Sequence, residues 1–144
     1  MSTQIKVVEV REPAQMDQAW AIRRFVFIEE QQVPEEIEMD ADDANAFHVL
    51  ALEGSTPVGC GRMVAHERYV KIGRMAVLHE RRGQGIGKSI LEFLMDRARK
   101  QGFDRAVLHA QLAAEGFYLK SGYLPEGAVF DEAGIPHRRM FRQL

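Results

Sequence analysis

The stretch from Arg81 to Lys88 has the sequence Arg-Arg-Gly-Gln-Gly-Ile-Gly-Lys, and it decides the fold of this 144-residue chain. A short apolar run, from Ile72 to Leu78, precedes it and is typical of a β-strand. A run with helical spacing of its apolar residues, Ile86 to Gln101, follows it. A strand, a glycine-rich turn and a helix N-terminus together form an anion site, because the first N–H groups of a helix have no partner within it. Glycines leave room for a phosphate beside the backbone, so the stretch predicts a phosphate-bearing ligand.

Two common phosphate-binding loops do not fit the spacing of these glycines. A P-loop requires Gly-x-x-x-x-Gly-Lys-Ser/Thr. Residues 87–89 supply its Gly-Lys-Ser end, but Arg82 stands where its first glycine belongs. A dinucleotide fingerprint requires Gly-x-Gly-x-x-Gly, and counting from Gly83 or Gly85 places a lysine or an isoleucine at the third position. A nucleotide-binding protein is therefore the least favoured interpretation.

The spacing that does fit is Arg-x-x-Gly-x-Gly, with Arg82, Gly85 and Gly87 at its defined positions. It resembles the acetyl-CoA pyrophosphate loop of the GNAT acyltransferase superfamily. Further along the chain, residues 116–123 have the sequence Gly-Phe-Tyr-Leu-Lys-Ser-Gly-Tyr. This segment resembles the second signature of the family, aromatic-Tyr-x-x-x-Gly-aromatic. With two separated motifs in the right order, the chain is identified by resemblance as a GNAT protein.

Three other segments resemble a bacterial subfamily of small GNAT proteins whose substrates are poorly defined. They are residues 26–31 (Val-Phe-Ile-Glu-Glu-Gln), the pair Glu38 and Asp40, and residues 134–137 (Gly-Ile-Pro-His). The resemblance covers nearly the whole chain and implies a single domain over residues 1–144. It implies an α/β fold with a mixed, mostly antiparallel, twisted sheet of about six to seven strands and helices on both faces.

The pattern along the chain predicts elements in a compatible order. Strands are predicted at 5–10, 47–53, 58–66, 69–78, 106–111, 124–130 and 137–142, and the last two flank a turn signal at 131–134. A helix is predicted from Pro13 towards Gln32, since proline suits the first helical position and Pro34 lies beyond its end. Apolar side chains such as Phe25 and Ile28 widen its apolar surface, so this helix is expected to be well buried.

Composition and charge exclude several classes of protein. Apolar residues make up 46% and charged residues 28% of the chain, the balance of a soluble globular protein. The formal net charge of -2 gives no reason to expect nucleic acid, and no apolar run reaches the ~18 residues of a membrane span. Residues 1–10 lack the apolar core of a secretory signal, so the expected location is the cytoplasm.

The single cysteine, Cys60, forms no intrachain disulfide. The histidines have no paired spacing, so no metal is predicted.

The family resemblance implies which residues hold acetyl-CoA as co-substrate. The backbone of Met75, Ala76 and Val77 would contact the pantetheine arm in the gap between two splayed strands and polarise the thioester carbonyl. Gln111 stands where many family members have an asparagine that touches the cofactor. Tyr118 would contact the cofactor and protonate the departing thiolate as general acid. The pyrophosphate would be held by the loop residues Arg82, Gly83, Gln84, Gly85, Ile86, Gly87 and Lys88.

The base that takes the amine proton stays open at this level. Many GNAT enzymes carry a glutamate at the position of Lys71, and no carboxylate replaces it on that strand. The candidates are His109, His137 and Glu30, and a water chain without a dedicated base is a further alternative. His109 lies two residues from Gln111 and therefore shares its strand face. An unperturbed histidine, with a pKa near ~6.5, suits a base at neutral pH.

An acidic segment, residues 29–43, is expected to border the acceptor site. It contains eight carboxylates and no Lys or Arg, so it would attract a cationic amine, and a solvated loop is the alternative. The subfamily resemblance implies that Glu30, Gln31, Asp40 and His137 line the acceptor pocket.

The combined prediction is an acetyl-CoA-dependent N-acyltransferase that moves an acetyl group directly to a primary amine of a small molecule or peptide. Direct transfer is expected because Cys60, between two glycines in a strand, has no adjacent base and suits a buried apolar role. The alternative is a catalytically inactive CoA-binding sensor or interaction module with the same fold. The lack of a glutamate at position 71 favours this alternative, and the presence of Tyr118 argues against it. Homodimers are common in the family, and the sequence specifies no interface.

Overall fold

A computed structural model describes residues 4–144; residues 1–3, which belong to the expected domain, lie outside the described residues. The strands are β1 (Ile5–Glu9), β2 (Phe47–Glu53), β3 (Thr56–Ala65), β4 (Val70–Val77), β5 (Arg105–Gln111), β6 (Leu124–Glu132) and β7 (Ile135–Gln143). The α-helices are α1 (Pro13–Arg23), α2 (Glu35–Glu38), α3 (Ile86–Lys100) and α4 (Glu115–Lys120). A π-helical turn (Arg24–Glu30) continues α1, and 3₁₀ turns cover Ala41–Ala44, His79–Arg81 and Leu112–Ala114.

The seven strands form one sheet in the order β1-β2-β3-β4-β5-β7-β6. Every neighbouring pair is antiparallel except β4 and β5, which α3 connects as a parallel crossover. The expected mixed, mostly antiparallel sheet with helices on both faces is confirmed. The hairpin formed by β6 and β7 has longer strands than predicted, because only Ala133 and Gly134 form its turn. Their φ values are 54° and 76°. Two left-handed residues in succession suit a two-residue hairpin loop.

Two apolar cores lie on opposite faces of the sheet. On one face, α3 buries Ile86, Ile90 and Leu94 against strands β1 to β4, as its helical spacing predicts. On the other face, α1 and the π-helical turn bury residues that contact Leu50 and Cys60 of the sheet. Among residues 4–144, no helix combines the length and the apolar character that a bilayer crossing requires.

The predicted helix from Pro13 towards Gln32 is not one continuous α-helix. It changes at Arg24 to π-helical hydrogen bonding, in which each N–H bonds five residues back instead of four. The longer repeat shifts the apolar residues around the helix axis. Val26 is buried, but Phe25 is 63% exposed and Ile28 is half-buried. The expectation of a broadly buried helix is therefore wrong for this last part.

Strands β4 and β5 pair over only three residues and then part. The pairing runs from Val70 with Ala106 to Ile72 with Leu108, and no later residue of β4 pairs with β5. On its other edge, β4 carries a β-bulge at Arg74, where the register against β3 shifts by one residue. Arg74 has a φ of 50°, in the left-handed region. The bulge bends the strand, and the edge of β4 from residue 73 to 77 has no strand partner on the β5 side among the described strands.

Candidate active site

The gap between β4 and β5 opens into a cleft of about 500 Å³. Its walls come from the π-helical turn and the segment after it, from β4 and β5, from α4 and from the β6–β7 hairpin. The residues that the sequence predicted for the site and that line the cleft are Gln31, Asp40, Met75, Ala76, Val77, Arg82, His109, Gln111, Tyr118 and His137. Glu30 and residues 83–88 do not line it, although Glu30 bonds to Arg82 at its edge.

The glycine loop at the end of β4 leads into a helix end whose backbone N–H groups are free of side-chain caps. Gly83 and Gly85 have φ values of 78° and 83°, which side-chain-bearing residues rarely adopt. Gly85 precedes α3 as its N-cap, and no side chain caps the helix. The backbone N–H of Ser89 donates to the Gly85 carbonyl at 3.1 Å. The N–H groups of residues 86–88 precede this bond, so they have no partner within the helix and point out of its end. A phosphate binds readily to such a group of N–H donors.

Arg82, the one charged residue of the fitted loop motif, is held by Glu30. Its Nη1 and Nη2 atoms donate to the two carboxylate oxygens at 2.6 and 2.8 Å, and its Nε donates to the Val77 carbonyl at 2.9 Å. The hydrogen bond from Arg82 lowers the pKa of Glu30. A carboxylate that is paired in this way accepts a further proton poorly, which argues against Glu30 as the base.

Tyr118 lies in α4 with its hydroxyl directed at β4. Its Oη is 3.8 Å from the Sδ of Met75, and its ring meets those of Phe117 and Tyr123 edge-on, at centroid distances of 5.0 and 5.9 Å. Burial raises the pKa of the Tyr118 phenol to about 12. The phenol therefore keeps its proton at neutral pH, as a general acid must before it reacts.

Two histidines of the cleft share one carboxylate that the sequence analysis missed. Glu132 Oε1 lies 3.0 Å from His109 Nδ1, and Glu132 Oε2 lies 3.6 Å from His137 Nε2. His137 donates from Nδ1 to the Ile135 carbonyl at 2.7 Å. The hydrogen bond with His109 lowers the pKa of Glu132. The sequence contained one signal for Glu132. If the strand is continued through the predicted turn, Glu132 lies two residues after Phe130 and on the same strand face.

Gln111 and Gln31 contact each other across the cleft. Gln111 Nε2 donates to Gln31 Oε1 at 2.9 Å, and Gln31 Nε2 donates back to Gln111 Oε1 at 3.4 Å. The sequence assigned Gln111 to the cofactor side and Gln31 to the acceptor side. The amide pair thus joins a residue predicted to contact the cofactor to one predicted to contact the acceptor.

The acidic segment is less free to attract a cation than its sequence suggests. Three of its carboxylates pair with arginines from α1, β3 and β4, and these six residues form an arginine–carboxylate cluster. The cluster consists of Arg23, Arg62, Arg74, Glu38, Asp40 and Asp43. Because its three positive and three negative charges balance, these carboxylates carry little uncompensated charge towards the cleft. The attraction predicted from residues 29–43 is weakened accordingly.

The buried centre of this cluster is Arg23, whose side chain is 1% exposed. Its Nε donates to Glu38 Oε1 at 2.6 Å, and its Nη1 donates to Asp43 Oδ1 at 2.7 Å. Nearer the cleft, Arg62 donates to both oxygens of Asp40, at 2.7 and 3.0 Å, and lowers the pKa of Asp40 to about 2. Burial raises the pKa of Glu38. Asp40 thus lines the cleft as an ionised group that is already paired.

Cys60 does not belong to the reactive groups of the cleft. It is buried in β3, and its Sγ donates to the Arg74 carbonyl at 3.6 Å. Burial raises the pKa of the thiol to about 12, so it is not a thiolate at neutral pH. Among the described residues, no group of three or more His, Cys, Asp or Glu side chains has the arrangement of a metal site.

Comparison with known proteins shows which family this chain matches. The family described as "Acetyltransferase (GNAT) domain" matches residues 12–144. The N-acetyltransferase YjcF of Bacillus subtilis (strain 168), which is uncharacterised, is 36% identical over 140 residues, covering 96% of this chain and 99% of YjcF. Protein ElaA of Escherichia coli (strain K12) is 30% identical over 129 residues, covering 85% of this chain and 84% of ElaA.

Solved structures agree over nearly the full length. The crystal structure of a candidate N-acetyltransferase from Lactobacillus plantarum has a TM-score of 0.91 at 27% identity, covering 97% of this chain and 98% of the other. The crystal structure of Escherichia coli ElaA has a TM-score of 0.86 at 25% identity, covering 96% and 99%.

Proposed function

We propose, from the premise that this chain belongs to the GNAT acetyltransferase family, that it transfers an acetyl group from acetyl-CoA directly to a primary amine of a small molecule or peptide. The observation that carries the proposal is the parting of β4 and β5 beside Tyr118, with the glycine loop at the end of β4. An open backbone edge, an anion-binding helix end and a protonated phenol thus border one cleft. Each of these features has a use in acyl transfer from a CoA thioester.

The loop and the open strand edge suit the two halves of CoA. The N–H groups of residues 86–88 would hold the pyrophosphate, with Lys88 adding charge. The unpaired edge of β4 from residue 73 to 77 offers hydrogen bonds to the amides of the pantetheine arm. When bound, acetyl-CoA supplies a thioester carbonyl activated for attack by an amine. A backbone N–H on the β4 edge that stabilises the developing oxyanion would contribute ~10²–10³ in rate.

Tyr118 is the residue proposed to protonate the leaving group. A phenol with a pKa of about 12 is a weaker acid than a thiol of pKa ~8.5, so proton transfer to a thiolate needs stabilisation of the phenolate. Within residues 4–144, the Tyr118 hydroxyl has one hydrogen-bond partner, the Met75 sulfur, which is a weak acceptor. We expect bound CoA to replace this contact with stronger hydrogen bonds.

The position of Cys60 supports direct transfer without an acetyl-cysteine. The thiol is 1% exposed, and burial holds its pKa near 12, so it offers no nucleophile to the cleft. Both substrates must therefore be bound together before transfer. Steady-state rates measured against both substrates should give intersecting rather than parallel lines in double-reciprocal plots.

The proposal is tested first by thermal unfolding with acetyl-CoA, CoA or ATP. A ligand at 100 times its Kd stabilises by about 2.7 kcal/mol, which is several degrees for a domain of this size. A shift with acetyl-CoA and CoA but not with ATP supports the proposal, and no shift at millimolar acetyl-CoA contradicts it. Release of free CoA is then measured with spermidine, benzylamine and lysine amide as acceptors. Binding without amine-dependent release would indicate a CoA-binding module instead.

A further inference from the structure

We propose that Glu132 orients His109 as the base that takes the proton from the acceptor amine. The inference rests on the proposed acetyl transfer and assigns a side chain to the one step that the sequence left open. His109 would be the catalytic residue, because it touches the amine. Glu132 would be a positioning residue, because it acts through the imidazole.

The position of His109 in the sheet is the first argument. The last pair between β4 and β5 joins Ile72 to Leu108, and the point where the two strands then part is called the fork. His109 is the first residue of β5 beyond it. It shares its strand face with Gln111, and both line the cleft. Opposite, on β4, Gly73 has no side chain, and a Cβ placed there would meet no atom within 4 Å. An acceptor therefore has room at the fork, beside the imidazole.

Hydrogen bonding fixes which nitrogen of His109 is the base. The pKa of Glu132 is lowered by its hydrogen bond with His109, so at neutral pH the group is a carboxylate that can only accept. His109 Nδ1, at 3.0 Å, must then carry the hydrogen. The lone pair is left on Nε2, which makes no hydrogen bond within residues 4–144. A neutral imidazole held in this tautomer is ready to accept a proton.

Glu132 is held in place although it is partly exposed. Its second oxygen lies 3.6 Å from His137 Nε2, and His137 is itself fixed by its 2.7 Å hydrogen bond to the Ile135 carbonyl. The ring of Phe130 meets His109 edge-on at 5.0 Å and lies nearly parallel to His137 at 6.1 Å. The carboxylate therefore bridges two imidazoles around an aromatic ring, an arrangement that a freely rotating surface side chain would not hold.

The proposed step balances in protons. His109 Nε2 takes one proton from the amine nitrogen while the nitrogen lone pair forms a bond to the acyl carbon. The C–S bond then breaks, and Tyr118 gives its phenolic proton to the sulfur. The imidazolium and the phenolate return to their starting forms by exchanging one proton through water. An acceptor that arrives as an ammonium first loses an additional proton to solvent.

Several charged or titratable groups besides Glu132 lie around this part of the cleft. Lys71 of β4 and His137 of β7 lie close enough to Glu132 to lower its pKa. Arg139 of β7 is the strand partner of His109. His66, at the end of β3, lines the same cleft. Among residues 4–144, Glu132 is the group hydrogen-bonded to the imidazole. Replacing Glu132 by a neutral amide keeps the hydrogen-bond acceptor and removes only the charge, which isolates this contribution.

The test compares the wild type with His109→Gln, His109→Ala, Glu132→Gln and Glu126→Gln, using acetyl-CoA with spermidine, benzylamine or lysine amide. Glu126 is the matched control, since it is also a glutamate of β6 but pairs with Arg105 and Arg139 rather than with a histidine. We expect His109→Gln to lower kcat by ~10²-fold or more. Free imidazole should restore part of the rate of His109→Ala. Glu132→Gln should lower kcat ~10-fold and displace the acidic limb of the pH profile of kcat/KM.

A second readout does not depend on turnover. Long-range ¹H–¹⁵N spectra of protein labelled in histidine should show His109 at pH 8 with its hydrogen on Nδ1, and Glu132→Gln should change its titration while Glu126→Gln should not. If the wild type is active and His109→Gln keeps more than half of kcat, or the acidic limb stays in place in Glu132→Gln, this inference is wrong and the proposed function stands. If the wild type binds acetyl-CoA and no amine promotes CoA release, both are wrong.

Discussion

The guanidinium of Arg82 and the carboxylate of Glu30 form a two-point ion pair that joins the glycine loop to the π-helical turn after α1. A pyrophosphate that binds Arg82 must compete with this carboxylate. We therefore expect Glu30→Gln to bind CoA more tightly. Because both side chains are more than a third exposed, the gain should be at most ~1 kcal/mol, or about fivefold in Kd, by isothermal calorimetry.

Glu29→Gln is the matched control for this change. Glu29 is exposed and adjacent, and among the described residues it forms no ion pair. Its replacement removes the same charge from the same turn and should leave the Kd for CoA unchanged. Equal effects of the two substitutions would mean that general charge, rather than the hold on Arg82, controls cofactor affinity.

Tyr118→Phe should lower kcat by ~10² and leave the Kd for acetyl-CoA nearly unchanged, because it removes the proposed proton donor and keeps the ring. Tyr123→Phe is the control in the same aromatic cluster. The hydroxyl of Tyr123 is buried and has no hydrogen-bond partner within residues 4–144, so its loss should leave kcat intact and raise the unfolding free energy by about 1 kcal/mol. Unchanged turnover in Tyr118→Phe would remove that residue from the mechanism.

Gly61→Ala should lower the free energy of unfolding by about 1–3 kcal/mol. A Cβ at Gly61 would lie 2.8 Å from Ile90 Cγ2 and 3.3 Å from Leu94 Cδ1, so α3 would have to move from the sheet. Gly73→Ala, on the neighbouring strand, meets open space and should change stability by less than about 0.5 kcal/mol. Urea unfolding of both variants measures the difference, and equal losses would show that α3 packs less closely than described.

Arg23→Met should cost about 3–5 kcal/mol of stability, since it leaves the buried carboxylates of Glu38 and Asp43 without their main partner. Arg24→Met, one residue later, removes only an exposed pair with Glu35 at 3.6 Å and should cost less than about 1 kcal/mol. The comparison is made by chemical denaturation at neutral pH. A small loss in Arg23→Met would mean that water readily reaches the cluster.

Asp40 links stability to acid pH. Its pKa is about 2 in the folded protein and ~3.9 in an unfolded chain, so the unfolded state binds more protons between these values. The stabilisation is complete above about pH 4 and is lost as the pH falls towards 2. Asp40→Asn should remove this component from a series of urea unfolding curves between pH 2 and 7. Asp17→Asn, at an exposed position on α1, should keep the wild-type slope.

Local patterns in the sequence were sufficient for the order of strands and helices and for the position of the glycine loop. Gly83 and Gly85 adopt positive φ values, which favour glycine. The spacing of Ile86, Ile90 and Leu94 is set by one helix. Both signals lie within a few residues of one another, so neither depends on the rest of the chain. The strand-parting site follows from the family resemblance, since nothing in residues 70–77 alone reveals where β5 turns away.

The remaining features depend on residues that are distant in sequence. The acidic segment meets its arginine partners only in the folded chain, because Arg23, Arg62 and Arg74 come from three different elements. The sequence alone therefore gave no sign that its carboxylates are paired. Glu132 was missed because the turn was placed at 131–134, which hid its alignment with His109. The change to π-helical bonding at Arg24 was also not predicted, because the spacing of apolar residues does not report which carbonyl each N–H selects.

The buried thiol of Cys60 makes the native chain a convenient background for site-specific labelling. It is the single cysteine of the sequence, and burial with a raised pKa should keep it unreactive towards maleimides while the sheet is intact. A cysteine introduced on α2 or on the β6–β7 hairpin can therefore carry a fluorophore without removal of a native residue. The slow modification of Cys60 itself then times the opening of β3, and a pair of such dyes would report how far the two sides of the cleft approach each other.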